Sequence, residues 1–256
     1  MNSATTWYSE RQPNTLDVSS RIAKAQKIIS VLTHYYLLPG MSSCNCLDIG
    51  SSTGIISRSL GREFSSVIGI DVDKKGLYYA SEHNLTNNVM FVEGSGCKLP
   101  FDDETFDVVI CNHVYEHVPN ARELIADAHR ILRPGGICYL ACTNKYWIIE
   151  PHYDLPFLSW LPRRLSNFYL RITRRGVNYE EQLLSRTEVL SMLGQFKVTE
   201  YTLKILMTPG DFCASDVYAK WGFSQYVPLW LAKSLIFWMP NFVWVLEKKG
   251  ARVRIS

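Results

Sequence analysis

The sequence predicts an α/β fold: a seven-stranded, mostly parallel sheet with an antiparallel edge strand and helices on both faces. Three observations predict it. Five short apolar runs with almost no polar alternation are separated by segments of helical period, as expected of parallel strands buried on both sides. Two more apolar runs near the end of the chain read as an antiparallel pair at the sheet edge. Hydrophobic residues make up 47% of the 256 and charged residues 20%, enough to bury one large core. Crossovers should be right-handed, and ligands should collect beyond the carboxyl ends of the strands.

The elements follow in order. Residues 19–36 form an amphipathic helix with Ile22, Ala25, Ile28, Ile29, Leu32 and Tyr36 near one face, ended by Pro39-Gly40. A first strand at 44–49 runs into a Gly/Ser turn and a helix at 55–64. Strand 66–70, helix 74–85, strand 89–92 and strand 106–111 follow. A helix at 121–132 is closed by Arg133-Pro134-Gly135-Gly136, and 137–142 is the fifth strand. Residues 144–181 then lose all period and are rich in aromatics, Pro and Arg. Regularity returns with a helix at 186–193 and strands at 196–206 and 242–247, the last two separated by a second irregular insertion, 207–240. No internal repeat or low-complexity tract interrupts this order.

Composition narrows the function. A net charge of +3 without a local basic cluster gives no footprint for nucleic acid. Seven Cys form no C-x-x-C pair and mostly sit in apolar runs, so they read as buried free thiols. Closely spaced zinc ligand pairs are absent, and no metal site is predicted. Residues 1–15 are polar and lack a signal-peptide core, and the greasiest stretch, 227–245, is broken by Pro228, Lys233, Pro240 and Asn241. The expectation is a cytoplasmic protein.

The sharpest motif is Leu47-Asp48-Ile49-Gly50-Ser51-Ser52-Thr53-Gly54, a strand, a Gly-containing turn and a helix start. Gly50 and Gly54 allow a tight turn and close backbone approach to a ligand. Alone it fits a nicotinamide, flavin or S-adenosylmethionine site, or a bare turn. Gly69-Ile70-Asp71 ends the second strand and places an acid where it can accept both ribose hydroxyls of a nucleoside. Asp73 is the better helix cap there. The third glycine of G-x-G-x-x-G is missing, which speaks against a nicotinamide enzyme.

Leu99-Pro100-Phe101 with Phe106-Asp107-Val108-Val109, then Glu116-His117-Val118, then Leu132-Arg133-Pro134-Gly135-Gly136 complete the series. Over residues 44–142 and the terminal strands, the chain resembles the class I S-adenosylmethionine-dependent methyltransferases, specifically the type 11 group that includes the ubiquinone- and menaquinone-pathway enzymes. The resemblance implies a Rossmann-like fold with S-adenosylmethionine as cofactor. By position, Asp48 and the Gly50, Ser51, Ser52, Thr53, Gly54 turn would hold the methionine end. Asp71 would bind the ribose, Val72 would lie on the adenine, and Ser95, Gly96 and Cys97 would meet the adenine edge. Asn112 and His113 would lie beside the methionine end. Two positions depart from the family: Ser52 stands where Gly is frequent, and Ser95 where Asp is frequent. The pattern along the chain divides it into an N-terminal helix and cofactor-binding half (1–143), an aromatic and Arg-rich lid (144–181), a helix and strand returning to the core (182–206), a second apolar lid (207–240), and a terminal edge strand and tail (241–256).

Methyl transfer is an in-line displacement, and a hydroxyl acceptor usually needs a base. Candidates must sit past the fourth and fifth strands. His152, on the loop Glu150-Pro151-His152-Tyr153-Asp154, is the leading base candidate, with His113 and Tyr153 beside it. His117 reads as a structural residue of the Glu-His-Val turn. The first insertion carries Trp147, Tyr153, Phe157, Trp160, Phe168 and Tyr169 with Arg163, Arg164, Arg171, Arg174 and Arg175, a set suited to an acidic acceptor or to a solvated Arg face. The second carries Trp221, Phe223, Tyr226, Trp230, Leu231, Leu235, Ile236, Phe237, Trp238 and Met239. Residues 227–239 are open to three readings: core, wall of an apolar pocket, or a helix at a membrane interface with Lys233 snorkelling. The acceptor is expected to be a small molecule, a lipid or a glycan. Asn112-His113-Val114-Tyr115 replaces the N-P-P-Y-type motif of nucleic-acid enzymes. The alternative to an enzyme is a catalytically silent binding subunit on the same fold.

Overall fold

The computed structural model describes residues 16–36, 40–214 and 228–250. The polar 1–15 segment, Pro39, Trp221, Phe223, Tyr226 and Val227 lie outside the described residues. In chain order the main elements are α1 (Val18–Tyr36), β1 (Asn45–Ile49), α2 (Ile55–Leu60), β2 (Ser66–Asp71), α3 (Lys74–Glu82), β3 (Val89–Glu93), β4 (Phe106–Asn112), α4 (Ala121–Ile131) and β5 (Leu132–Thr143). They continue with α5 (Arg163–Ile172), α6 (Arg186–Met192), β6 (Phe196–Glu200), α7 (Thr202–Met207), α8 (Leu229–Ser234) and β7 (Asn241–Lys248).

The seven strands form one sheet in the order β3-β2-β1-β4-β5-β7-β6. β1 to β5 pair in parallel, and β7 runs antiparallel to both β5 and β6. The fold class is the predicted one, with one refinement. The antiparallel strand lies one place in from the edge, and β6 is the edge strand. β7 can sit inside because Phe242, Val243, Trp244, Val245 and Leu246 are all buried, an unbroken apolar run of the kind a strand covered on both faces needs.

Strand alternation sorts the core onto two faces. Val109 and Cys111 of β4, Cys138, Leu140 and Cys142 of β5 and Trp244 of β7 pack with Leu124, Ile125 and Ala128 of α4 on one side. Val108 and Ile110, Ile137, Tyr139 and Ala141, and Val243 and Val245 pack with Ala25, Ile28, Val31 and Leu32 of α1 on the other. Cys46, Cys111, Cys138 and Cys142 are buried, all seven thiols are free, and Cys213 is exposed.

Several local expectations change. The 196–206 run is two elements: β6 stops at Glu200, whose carboxylate caps the N–H of Thr202 (3.0 Å) and starts α7. From there Thr202, Ile205 and Leu206 are buried at helical spacing, while the near-alternating order of apolar and polar residues hid the change of period. α4 ends at Ile131, and Leu132 already belongs to β5. Ile22 of α1 is 40% exposed while Val31 is fully buried, which rotates the apolar face slightly from the predicted one. The periodless 144–181 stretch contains α5, whose outer face is apolar: Leu165, Phe168 and Ile172 are exposed.

Candidate active site

The β1–α2 turn is a backbone device. Gly50 and Gly54 both have positive φ (+75° and +69°). A Cβ on Gly50 would stand 2.5 Å from Val114 Cγ2, and one on Gly54 2.5 Å from Phe91 Cζ. Ser52 between them also adopts positive φ, 48°. That conformation favours glycine, which explains why glycine is the frequent residue there.

Asp71, at the end of β2, is fixed by two backbone donors: Ser52 N–H to Oδ2 and Asp73 N–H to Oδ1, both 2.8 Å. Burial pushes its carboxyl pKa up, and those two N–H groups oppose the shift. Each oxygen keeps a lone pair for a further donor such as a ribose hydroxyl. Asp73 caps α3 through the N–H groups of Lys75 and Gly76, as expected. Asp48 lies behind the turn, buried, accepting from Ser57 Oγ at 2.6 Å. Burial raises its pKa to about 7, against the opposing hydrogen bond from Ser57.

Beyond β4 and β5 lies a histidine-rich cluster. His113 has positive φ (56°), an uncommon conformation for this residue type. Thr143 Oγ1 donates to Glu116 Oε1 (2.9 Å), so the His113 Nδ1 contact to Thr143 Oγ1 (3.1 Å) makes Nδ1 the protonated nitrogen. Glu116 is fully buried; burial would raise its pKa, but His113 and His117 hold the carboxyl below its ordinary range. His117 is pulled down to about 4, chiefly by burial, and is therefore neutral at physiological pH.

His152 stands edge-on to His117, with ring centroids 5.0 Å apart. Its Nδ1 meets Glu150 Oε1 at 2.6 Å, while Glu150 Oε2 accepts the backbone N–H groups of His152 (2.8 Å) and Tyr153 (2.9 Å). A carboxylate can only accept, so Nδ1 carries the proton and Nε2 is left as the basic atom. Burial lowers the His152 pKa, but the Glu150 carboxylate outweighs it and the net shift is upward.

One cavity of about 700 Å³ connects these parts. Gly50, Ser52, Asp71, Val72, Ser95, Gly96, Asn112, His113 and His152 line it. Asp48, Ser51, Thr53, Gly54, Cys97 and Tyr153 do not: the first four form the rear of the turn, and Cys97 Sγ reaches the Asn120 carbonyl (3.3 Å). Tyr153 donates to the Asn178 carbonyl (3.3 Å) and packs on Tyr179 within the first insertion. The five Arg of that insertion are exposed and absent from the cavity wall, so the solvated-face reading fits them better than an acidic-acceptor pocket.

Other lining residues went unnoticed in the sequence. Arg21, Lys24 and Lys27 reach the cavity from α1, whose polar stripe at three-residue spacing was the available signal. Glu116 was legible only as part of the Glu-His-Val turn and Thr143 not at all, because their pairing spans 27 residues. Glu150 was legible only as a neighbour of His152.

Residues 47–140 match the model of the type 11 methyltransferases, described as Methyltransferase domain. Over these residues the chain carries a methyltransferase domain of the type 11 family. Enzymes of this family take their methyl group from S-adenosylmethionine. The chain is 29% identical over 167 residues to a ubiquinone biosynthesis O-methyltransferase of Pseudomonas aeruginosa, covering 60% of this chain and 69% of that protein. It is 28% identical over 152 residues to squalene methyltransferase 2 of Botryococcus braunii, covering 57% of this chain and 38% of that longer protein. Among solved structures, the PH0226 protein of Pyrococcus horikoshii superposes with a TM-score of 0.62 at 19% identity, over 94% of this chain and 98% of that one. An S-adenosylmethionine-dependent methyltransferase of Mesorhizobium loti gives 0.56 at 14% identity, over 83% and 94%. These two likenesses support the fold of the type 11 enzyme.

Proposed function

We propose that this methyltransferase holds S-adenosylmethionine along the carboxyl ends of β1 to β4 and methylates a hydroxyl group of a small, largely apolar acceptor, of lipid or quinone-precursor type. One observation carries the reading. A single cavity has the Gly50 turn and Asp71 at one part of its wall and a basic imidazole, His152, at another. The residues fit the cofactor. Gly50 brings bare backbone to the cavity wall, and Ser52 Oγ beside it is buried without a protein partner.

In this reading Asp71 accepts the ribose hydroxyls, Val72 covers the adenine, and Ser95 and Gly96 meet its edge. Asn112, His113 and the Gly50–Ser52 backbone flank the methionine end, with Asp48, Ser51, Thr53 and Gly54 shaping the turn from behind. Cys97 positions the Ser95 loop, its N–H donating to Ser95 Oγ at 3.2 Å. When bound, the cofactor supplies a methyl group on a sulfonium, which reacts once aligned and desolvated. His152 Nε2 removes the acceptor proton, oriented by Glu150; His113 is the second basic group within the cavity, and Tyr153 supports the loop. Trp147, Leu206 and Met239 add apolar wall, which suits an apolar acceptor better than a glycan.

The outer surface of the insertions supports a further part of the reading, peripheral membrane contact. Trp230, Phe237 and Trp238 in 228–239 are 50–69% exposed. Trp238 joins Trp160 (5.9 Å) and through it Phe157 (4.9 Å). Among described residues no helix is long and apolar enough to cross a membrane. Exposed aromatics beside exposed Arg and Lys233 suit shallow contact with a membrane interface, carried by the short α8 and the turn after it rather than by one continuous helix over 227–239.

Calorimetry should show stoichiometric S-adenosylmethionine binding, and a labelled methyl donor should mark phenolic lipid acceptors. Absence of cofactor binding by the wild type sinks the reading. Flotation with anionic liposomes tests the membrane part; a protein that stays at the bottom, with or without Trp230 and Trp238, removes it.

A further inference from the structure

The histidine cluster contains more than a base and its orienting carboxylate. Glu116, His117 and His152 each offer one ligand atom, and these atoms all lie within 4.8 Å of one another. All three residues line the cavity. Glu116 spends Oε1 on Thr143, but Oε2 is fully buried with no hydrogen-bond partner. A buried carboxylate oxygen left unpaired costs free energy unless something positive meets it.

We propose that Glu116, His117 and His152 form a binding site for one divalent cation of the zinc class, with its remaining coordination position open to the acceptor cavity. Two imidazoles and one carboxylate with an open fourth position is a donor set zinc uses in catalytic sites. A tetrahedral ion with bonds of about 2.0–2.1 Å needs ligand atoms roughly 3.4 Å apart, so the three side chains close on it by about an ångström. One further feature prepares them. His152 donates Nδ1–H to a buried carboxylate, the outer-shell arrangement that fixes the tautomer of a metal-bound histidine and makes it a better ligand. Hard cations with all-oxygen shells fit poorly, since two of the three donors are nitrogen.

The proposal uses the acceptor cavity of the preceding reading but not its methyl chemistry. At His152 Nε2 the roles of base and ligand exclude each other. With the ion in place, an acceptor hydroxyl on the open position is acidified by the metal, and its proton leaves to solvent rather than to the imidazole.

The test is titration of chelator-treated, tag-free protein with zinc chloride, followed by calorimetry, and with cobalt chloride, followed by the visible spectrum. One ion should bind per chain, and cobalt should give the intense bands of a four-coordinate site. Glu116→Gln, His117→Asn and His152→Asn should each weaken binding at least tenfold. Glu150→Gln, which leaves all three ligands in place, should weaken it about 10–100-fold. Loss of the fold in a ligand variant is recognised by circular dichroism, and the Glu150→Gln result then stands in for it. No stoichiometric binding by the wild type, or equal affinity in the His117→Asn/His152→Asn double variant, overturns the proposal. S-adenosylmethionine titrated into the same samples separates the two ideas: cofactor binding without zinc binding sinks only the cation site.

Discussion

The two halves of the cavity are built in different ways. On the cofactor side the chain uses backbone: a turn with three positive-φ residues, two glycines that exclude a Cβ, and an acid held by two backbone N–H groups. On the acceptor side it uses side chains drawn from far apart, with Glu116 paired to Thr143 and His152 brought from the first insertion. A backbone site is written in consecutive residues and tolerates little change. A side-chain site can be reassembled from new insertions without disturbing the sheet, which is how one fold serves many acceptors.

The contrast predicts that acceptor-side changes affect turnover and cofactor-side changes affect binding. The largest expected effect is at His152. His152→Ala should lower the turnover number by about 10²-fold or more, the usual scale for losing a proton-transfer group, while S-adenosylmethionine affinity stays within twofold. Unchanged turnover, measured by single-turnover methyl transfer, would remove His152 from the chemistry and break the division.

Asp48 gives the next effect, on stability. Its folded pKa of about 7 lies above the unfolded value near 3.9. The neutral acid is therefore favoured by folding. That contribution is complete below about pH 4 and lost as pH rises through about 7. Asp48→Asn stays neutral throughout, so the two proteins should have similar denaturant midpoints at pH 4.5. The variant should lead at pH 8 by on the order of a few kcal/mol at most. A midpoint difference independent of pH would show that the buried carboxyl titrates normally behind the turn.

The same contrast decides what was legible in the sequence. The strand order and the Gly50–Gly54 turn could be read because burial on both faces and positive φ constrain residue type directly. α7 could not, because Tyr201, Leu203 and Ile205 keep the two-residue spacing of Phe196 and Val198, and only the Glu200 cap marks the change of period. The role of Glu116 could not be read either. The Glu116-His117 pair looks like a turn motif until His152 is folded onto it, 35 residues later in the chain. Ligand sets made across an insertion leave no spacing to detect.

Asp71 sharpens the cofactor side. Asp71→Ala should weaken S-adenosylmethionine at least tenfold by calorimetry, since it removes the ribose acceptor and strands the N–H groups of Ser52 and Asp73. The turnover number at saturating cofactor should fall much less. Equal loss in both would mean that the turn and the acceptor groups move as one unit.

The smallest effect tests whether the backbone side is at its optimum. Ser52 occupies φ 48° with a buried hydroxyl that has no protein partner. A non-glycine residue in this region costs about 1–2 kcal/mol, and glycine there gives back part of the gain as greater freedom of the unfolded chain. Ser52→Gly should therefore stabilise the protein by about 0.5–1 kcal/mol in a urea titration. If the hydroxyl makes no contact with the bound cofactor, cofactor affinity should be unchanged or better. If affinity instead drops several-fold while stability rises, Ser52 Oγ is a cofactor ligand, and the strain is retained because the hydroxyl binds. That result would move one side chain into a site otherwise made of backbone.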